Sequence, residues 1–438
     1  MDRTPPDNPH KAHGEGPVRN GRRPPEPVIH SHAIAHELID PDAIKVLRRL
    51  SRHGYKGYLV GGGVRDLLLG EKPKDFDIAT DARPNQMRNL FRNCRIIGRR
   101  FRLAHVLFGG GKVIEVATFR KEPSQDVDVE TESDAEGDQG NGAARAREAA
   151  DLLIRNDNVF GDPHEDAIRR DFTINGLFYD IDRSVVIDYV GGMRDIERRV
   201  VETIGDPGVR LREDPVRILR AIKFCARLDL GIAPDLYDAM VSHRGELVRA
   251  AKARVLEELF RLLRQGAAHR CVYLCWDTGV LAVILPELAS YLDDLPDEQG
   301  MWGRLDAIDR RRRDGRLPSD AVLLGALLYG PISEVIDGAQ QPLLAFDDFF
   351  EQLGQRLLVP RRMRDRLRLM VAAQSRLAAG KLGTLPRRDF FADAATLYAI
   401  DCEAQGKEVP PWALDPASVD EQSIDLIPRS RRRPRRRR

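Results

Sequence analysis

Tyr58-Leu-Val-Gly-Gly-Gly-Val-Arg-Asp66, followed shortly by Asp75-Phe-Asp-Ile78, is the stretch whose reading decides the fold. The apolar run from Tyr55 to Val60 predicts a strand, the glycines a turn, and Val64 to Leu69 a helix. A strand that turns through glycine into a helix presents backbone N–H groups to a phosphate. The alternation from Asp75 to Ala79 predicts a second strand, on which Asp75 and Asp77 face one way while Phe76 and Ile78 point into the core. Two carboxylates so placed repel each other, and a divalent cation relieves the repulsion. Oxygen ligands with incomplete coordination suit Mg2+. Gly61, Gly62 and Gly63 let the backbone approach a triphosphate, and Arg65 in the next helix can neutralise it. The same residues admit blander readings. A lone Asp-x-Asp is commonly a solvated strand face, and a glycine triplet can be a dinucleotide turn, although no GxGxxG or βαβ spacing accompanies it here.

Working outward, Asp40 to Arg52 predicts a short amphipathic helix with an acidic cap and Ile44, Val46, Leu47 and Leu50 as its apolar residues. Pro84 to Phe91 predicts another helix. Strands are expected at Arg95 to Ile97, Ala104 to Phe108 and Val113 to Phe119, with Gly109 to Gly111 closing a hairpin between the last two. Such mixing, followed from Pro207 onward by helical periods such as Val216, Leu219, Ile222 and Ala226, predicts an α+β fold. It has an N-terminal head of mixed β-sheet with helices, then an all-α neck and body. The expected divisions are a disordered leader over 1–36, the head over 37–182, the neck over 183–270, the helical body over 271–420 and a disordered Arg-rich tail over 421–438. Within the head, 122–151 is acidic and almost free of large apolar residues, which predicts a mobile insertion, with structure resuming at Leu152.

The chain has 438 residues, 42% of them hydrophobic and 32% charged, enough for two or three domains and a sizeable core. No apolar run approaches the roughly 20 residues that span a bilayer, and the first residues are polar and proline-rich, so no membrane partner and no export are expected. Five cysteines without a CxxC pair suit a reducing, cytoplasmic location. The formal net charge of +2 hides an asymmetry: the last ten residues hold eight arginines, and without them the charge falls to −6. Such a tail, including Arg432, Arg433 and Arg436, has a polyanion as its natural partner, RNA first.

Three further segments follow in order: Arg169-Arg-Asp-Phe-Thr-Ile-Asn-Gly-Leu177, Tyr189-Val-Gly-Gly-Met-Arg-Asp195 and Glu213-Asp-Pro-Val-Arg-Ile-Leu-Arg-Ala-Ile-Lys-Phe224. With the two opening motifs they resemble the signature of the class II nucleotidyltransferase superfamily, which includes CCA-adding enzymes and bacterial poly(A) polymerases. The resemblance covers roughly residues 45 to 265. It implies nucleotide addition to RNA 3' ends by a two-metal mechanism, with Asp75 and Asp77 as metal ligands and Asp171 as a further catalytic acid. Glu115 is either another carboxylate facing the metal or a polar residue on an exposed strand face. Gly61, Gly62, Arg65, Asp66, Arg169 and Arg170 fall in the nucleotide site, and Asn175 either touches the sugar or holds the site together. Glu213 and Asp214, also placed in the nucleotide site by the resemblance, are expected at the acidic start of a helix with Pro215 in its first turn. The resemblance makes Asp214 and Arg217 the pair that reads the base edge, a pattern both adenine and cytosine offer. Arg220 then reaches phosphate, or Arg217 and Arg220 pair with acids instead.

The segment Arg95-Ile-Ile-Gly-Arg-Arg-Phe-Arg-Leu-Ala-His105 resembles bacterial poly(A) polymerases more than tRNA-repair enzymes, and its Arg99, Arg100 and Arg102 suit an RNA backbone. The arginine tail points the same way. No His-Asp dipeptide marks the phosphohydrolase domain fused to some CCA-adding enzymes. The expected activity is therefore polynucleotide adenylyltransfer, with ATP, RNA 3' ends and Mg2+ as partners and RNA-decay or RNA-chaperone proteins as further candidates. CCA addition is the alternative, and a non-catalytic RNA-binding protein the alternative of another class. Arg361, Arg362, Arg364 and Arg366 are read either as RNA contacts or as a solvated basic helix end.

Overall fold

Alternation along short strands divides the head into two faces. The strands are β1 (Val28–Ser31), β2 (Gly57–Val60), β3 (Asp77–Thr80), β4 (Cys94–Ile97), β5 (Leu103–Leu107), β6 (Val113–Thr118), β7 (Arg120–Lys121), β8 (Val159–Phe160), β9 (Leu177–Asp180), β10 (Val185–Asp188), β11 (Val200–Val201) and β12 (Gly231–Ile232). In this computed structural model residues 26–32, 34–98, 102–121, 159–294 and 300–418 are described. Eight of the strands form one sheet in the order β1-β10-β9-β2-β3-β6-β5-β4. Neighbours run antiparallel except β3 and β6, which are parallel with Ile78 opposite Val116. On one face Leu59 and Ile78 pack with Val46, Leu47 and Leu50 of the helix Pro41–Arg52 in the main core. On the other face Val60, Ala79, Phe119 and Phe178 form a smaller cluster. Asp77, one strand position from Ile78, opens on that second face.

Two expectations shift. Asp75 lies just ahead of β3 rather than within it, because the ladder with β2 ends at the pair Val60 and Asp77. The stretch expected to be a leader contributes β1, which pairs with β10. Its Val28 is 59% exposed and its Ile29 42%, so the strand is held by its backbone ladder and leaves no buried side-chain period to read. The head sheet also runs past residue 182, to β10. The insertion 122–151 and the tail 421–438 lie outside the described residues.

Helices dominate beyond β11. The helix Asp320–Asp337 is apolar around most of its girth, with Val322, Leu323, Leu324, Leu327 and Leu328 all buried, and serves as the axis on which neighbouring helices pack. No helix among the described residues is long and apolar enough to cross a membrane.

One glycine controls how the Thr173–Asn175 turn is seated. The buried Asp188 carboxylate accepts the N–H groups of Val190, Gly191, Gly192 and Met193, starting the helix Gly192–Glu197. A Cβ on Gly192 would stand 2.2 Å from the carbonyl oxygen of Thr173. Gly192→Ala must therefore push this helix off the Thr173–Asn175 turn. We expect a loss of about 3 kcal/mol, the upper part of the range for overpacking, read as an earlier urea midpoint.

Candidate active site

The parallel register of β3 and β6 sets Asp77 beside Glu115, one step before the pair Ile78 and Val116. Asp75 approaches from the segment before β3. Gly63 permits that approach, since a Cβ there would stand 3.2 Å from the Asp75 carbonyl oxygen. His105, opposite Glu115 on β5, holds its Nε2 3.5 Å from Glu115 Oε1. Asp77 keeps contact with solvent, yet its carboxyl is pushed up to about 6, first by the protein packed around it and next by the Glu115 charge. Asp75 adds to the rise and Arg170 opposes it. Glu115 is therefore one of the carboxylates gathered at this point.

Among the described residues no three His, Cys, Asp or Glu side chains form a ready-made metal cage. A divalent cation such as Mg2+ is commonly held by one or two carboxylates and completed by water and substrate phosphates. Mutually repelling Asp75, Asp77 and Glu115 fit such a cation.

Arg170 reaches the same place from the helix Pro163–Ile168 and its C-terminal turn. Its guanidinium lies over the Phe178 ring at 5.4 Å, and a Cβ on Gly61 would come within 3.1 Å of its Nη1. Gly61 itself has φ +66°, a conformation that side-chain-bearing residues resist. Asp166 aims both arginines: it accepts from Arg169 Nε at 3.2 Å and from Arg170 Nη2 at 2.9 Å. Burial raises the Asp166 pKa, but Arg170 and Arg169 outweigh it and leave the group low. Asp166 was not among the expected residues, although it precedes the two arginines by the three- and four-residue spacing that helical ion pairs use.

Arg65 and Asp66 turn inward. The buried Arg65 donates to Asp66 Oδ1 at 2.6 Å and to Asn175 Oδ1 at 2.6 Å, and lies 4.7 Å over the Phe224 ring. Asp66 takes Arg227 at 2.7 Å on its other oxygen. Asn175 passes the chain on, donating to Asp171 Oδ1 at 3.0 Å. Asp171 in turn holds Arg220 at 2.5 Å and accepts the Phe172 N–H. Burial works against the Asp171 charge, but Arg220, Asn175 and the Phe172 amide together hold its carboxyl down to about 2. The Asp171 carboxylate thus faces Asn175 and Arg220, and Asn175 links it to Arg65.

The expected helix at Glu213 is divided. One helix, Pro207–Glu213, ends there, Asp214 caps it with extended backbone, and the next, Arg217–Leu228, starts after a turn. Asp214 meets Arg254 through two hydrogen bonds of 3.1 and 2.9 Å. Arg217 Nη1 donates to the Arg210 carbonyl at 2.8 Å and to Glu213 at 3.1 Å. Arg254 and Arg227 were missed by the sequence reading, and neither carries a local signal, being 40 and 161 residues from their partners. Arg102 is exposed, whereas Arg99, Arg100, Arg432, Arg433 and Arg436 lie outside the described residues. Arg366 is tied to Asp393 and Asp389, and Arg361 faces Asp365 at 3.8 Å.

Comparison with known proteins gives two family matches. A family described as Poly A polymerase head domain matches residues 57–202. A second, described as Probable RNA and SrmB- binding site of polymerase A, matches 229–292. Poly(A) polymerase I of Salmonella typhimurium is 36% identical over 93% of this chain and 90% of its own. The CCA-adding enzyme of Bacillus pumilus is also 36% identical, but over 52% of this chain and 51% of its own. A solved structure, Bacillus stearothermophilus CCA-adding enzyme in complex with CTP, matches with TM-score 0.63 at 25% identity, covering 86% of this chain and 81% of that one.

The raised Asp77 pKa has a measurable sign. A carboxyl whose folded pKa lies above its unfolded value favours folding most below about pH 4, and that contribution is lost as pH rises through about 6. In chelator, Asp77→Asn should therefore melt above the parent protein at pH 8, with the gap closing toward pH 4. Thermal melts across that range check it, and a gap independent of pH would refute the crowding of Asp77.

Proposed function

The chain belongs to the poly(A) polymerase family of polynucleotide adenylyltransferases, and we propose that it extends RNA 3' hydroxyls with AMP from ATP, releasing pyrophosphate. The observation that carries this reading is the meeting of Asp77 with Glu115 and Asp75 next to the Arg170 guanidinium at the Gly61 turn. Repelling acids beside a fixed cation suit a polyphosphate bound through a divalent ion.

In this reading Asp75 and Asp77, with Glu115 alongside, hold Mg2+, which when bound neutralises phosphate charge and makes a 3' hydroxyl a better nucleophile. Arg170, aimed by Asp166, receives phosphate oxygens, and the open backbone of Gly61 and Gly62 leaves room for them. Asp171 and Asn175 keep Arg65 and Arg220 in place, so the neck beyond β10 presents Asp214 and Arg217 at a constant distance from the acids. Asp214, steadied by Arg254, accepts from an exocyclic amine while Arg217 donates to a ring nitrogen. The body, 271–420, guides the RNA. The cytoplasm, with messenger and small RNA as substrates, and association with RNA-decay or RNA-chaperone proteins complete the proposal. The match to a poly(A) polymerase along nearly the whole chain, against half for a CCA-adding enzyme, supports AMP addition over CCA addition.

Two measurements test it. Asp75→Ala combined with Asp77→Ala should abolish extension of an unstructured RNA while leaving RNA binding intact. Extension that survives the double change would refute the metal assignment. ATP alone should give long ladders, whereas two or three additions to a tRNA lacking its 3' end, dependent on CTP, would mark CCA addition, and no extension a binding protein. Arg254→Ala should lower the ATP-over-CTP preference roughly fivefold, on the order of 1 kcal/mol, because the Asp214 carboxylate is then free to turn.

A further inference from the structure

One surface, largely within the matched residues 229–292, carries aromatic rings that take no part in the proposed chemistry. The helix Ala268–Asp277 carries His269, Tyr273 and Trp276 at spacings that place them on one face, and Trp302 joins them from the start of the helix Met301–Arg313. His269 stacks on Trp302 with centroids 5.1 Å apart, and Tyr273 and Trp276 lie 6.2 and 6.4 Å from Trp302. This cluster is not sealed: Tyr273 is 46% exposed and Trp276 39%. Its rim is acidic. Asp293 accepts from Trp276 Nε1 at 3.2 Å, Asp306 pairs with His269 at 2.7 Å, and Asp277 accepts from the Tyr237 hydroxyl at 3.0 Å.

We propose that this aromatic face is the docking surface for the chain's own arginine-rich segment, Arg429 to Arg438, and that RNA competes with the face for that segment. Exposed aromatic rings bind either nucleic-acid bases or cations. The rim decides between them, because carboxylates repel a phosphate backbone and attract guanidinium. Arginine satisfies both parts at once, laying its plane on a ring and donating to a carboxylate.

A neighbouring cavity strengthens the charge match. The helix Pro286–Asp294 presents Asp293 to Trp276, and its Glu287 and Asp294 line a cavity of about 340 Å³ together with Glu334 and Asp348. Tyr291 and Phe349 contribute aromatic walls, and no Lys or Arg lines it. Glu287 is paired with Arg356 from outside the lining, which leaves three acids toward the cavity.

The connection is short enough. The turn Pro416–Ser418 lies against the helix Phe391–Ala404, and that helix packs directly on the one bearing Trp302. Arg304 meets Asp401 at 3.0 Å, and a Cβ on Gly303 would stand 2.9 Å from the Ala404 carbonyl oxygen. The helix Phe391–Ala404 is about 21 Å long, and the ten residues between Ser418 and Arg429 reach about 35 Å when extended. The segment can therefore reach the rings without any rearrangement of the helices. This inference concerns binding alone and does not depend on which nucleotide is transferred.

The test places a photoreactive benzoylphenylalanine at Ser430 in the full-length protein and maps its cross-links by mass spectrometry. Intramolecular links to the helices Ala268–Asp277, Pro286–Asp294 or Met301–Arg313 are expected. Their yield should fall at least fivefold in Trp276→Ala and on adding excess unstructured RNA. Tyr273→Ser, at a half-exposed position, serves the same purpose should Trp276→Ala fail to fold. Links that map to another surface, or that join two copies of the chain, would overturn the proposal. So would a yield indifferent to the aromatic substitutions, and a yield unmoved by RNA would overturn the competition.

Discussion

The head is fastened to the neck by a run of alternating buried charges. Arg227, Asp66, Arg65, Asn175, Asp171 and Arg220 follow one another through hydrogen bonds of 2.5 to 3.0 Å, crossing from neck to head and back. Each carboxylate in it has a cation or amide on both oxygens, and the Arg65 guanidinium also covers the Phe224 ring. Burying such groups is costly unless every member is satisfied, and removing one partner from a buried pair typically costs about 3 to 5 kcal/mol because the other is stranded. The arrangement therefore admits one relative placement of head and neck. Phe172 against Phe224, edge to face at 5.7 Å, adds shape to that restriction.

This lattice explains why two acids of the head behave oppositely. Asp171 is held down to about 2 by partners that neutralise it, whereas Asp77 is pushed up to about 6 by neighbours that do not. A satisfied carboxylate gives rigidity and has little left to offer a ligand. An unsatisfied one, open to solvent beside Glu115 and Asp75, gains most from a cation. Rigidity and exposed charge are thus separated along the chain: the first and third sequence motifs supply most of the lattice, while the Asp-x-Asp segment supplies the acidic edge. Asp166 joins the two, since it is buried with the head and yet directs Arg170 toward that edge.

How much of this was legible follows from the range of each interaction. Asp77 could be read from strand alternation, though Asp75 lies just ahead of the strand, and the head's other strands could be read from their apolar periods, because both signals are local. Glu115 remained ambiguous until the parallel register of β3 with β6 set it beside Asp77, and register is a property of two strands. Asp66 with Arg227 and Asp214 with Arg254 could not be read at all, since nothing near either residue names a partner so distant. β1 escaped for a different reason: an edge strand held by backbone bonds, with Val28 and Ile29 facing water, carries no hydrophobic pattern. The five-motif resemblance supplied what local physics lacked: it marked Arg65 for the nucleotide site and Asp171 as a further catalytic acid, two residues that the structure joins through Asn175.

The charge distribution sets the terms on which RNA is met. Residues 122–151 carry ten acids against two arginines, so the formal −6 left without the eight terminal arginines resides in that stretch, and the rest of the chain is close to neutral. Attraction for a polyanion is therefore concentrated in the terminal segment and in local arginines. Contacts between that segment and a solvent-exposed aromatic and acidic surface are each worth about 0 to 1 kcal/mol and are screened beyond about 8 Å at physiological ionic strength. Contacts of the same arginines with RNA gain additionally from release of condensed counterions. Transfer of the segment from protein to RNA is then downhill when RNA is present. The acidic surface loses only weak contacts, and the polymer gains cationic ones near the edge where Asp77 waits.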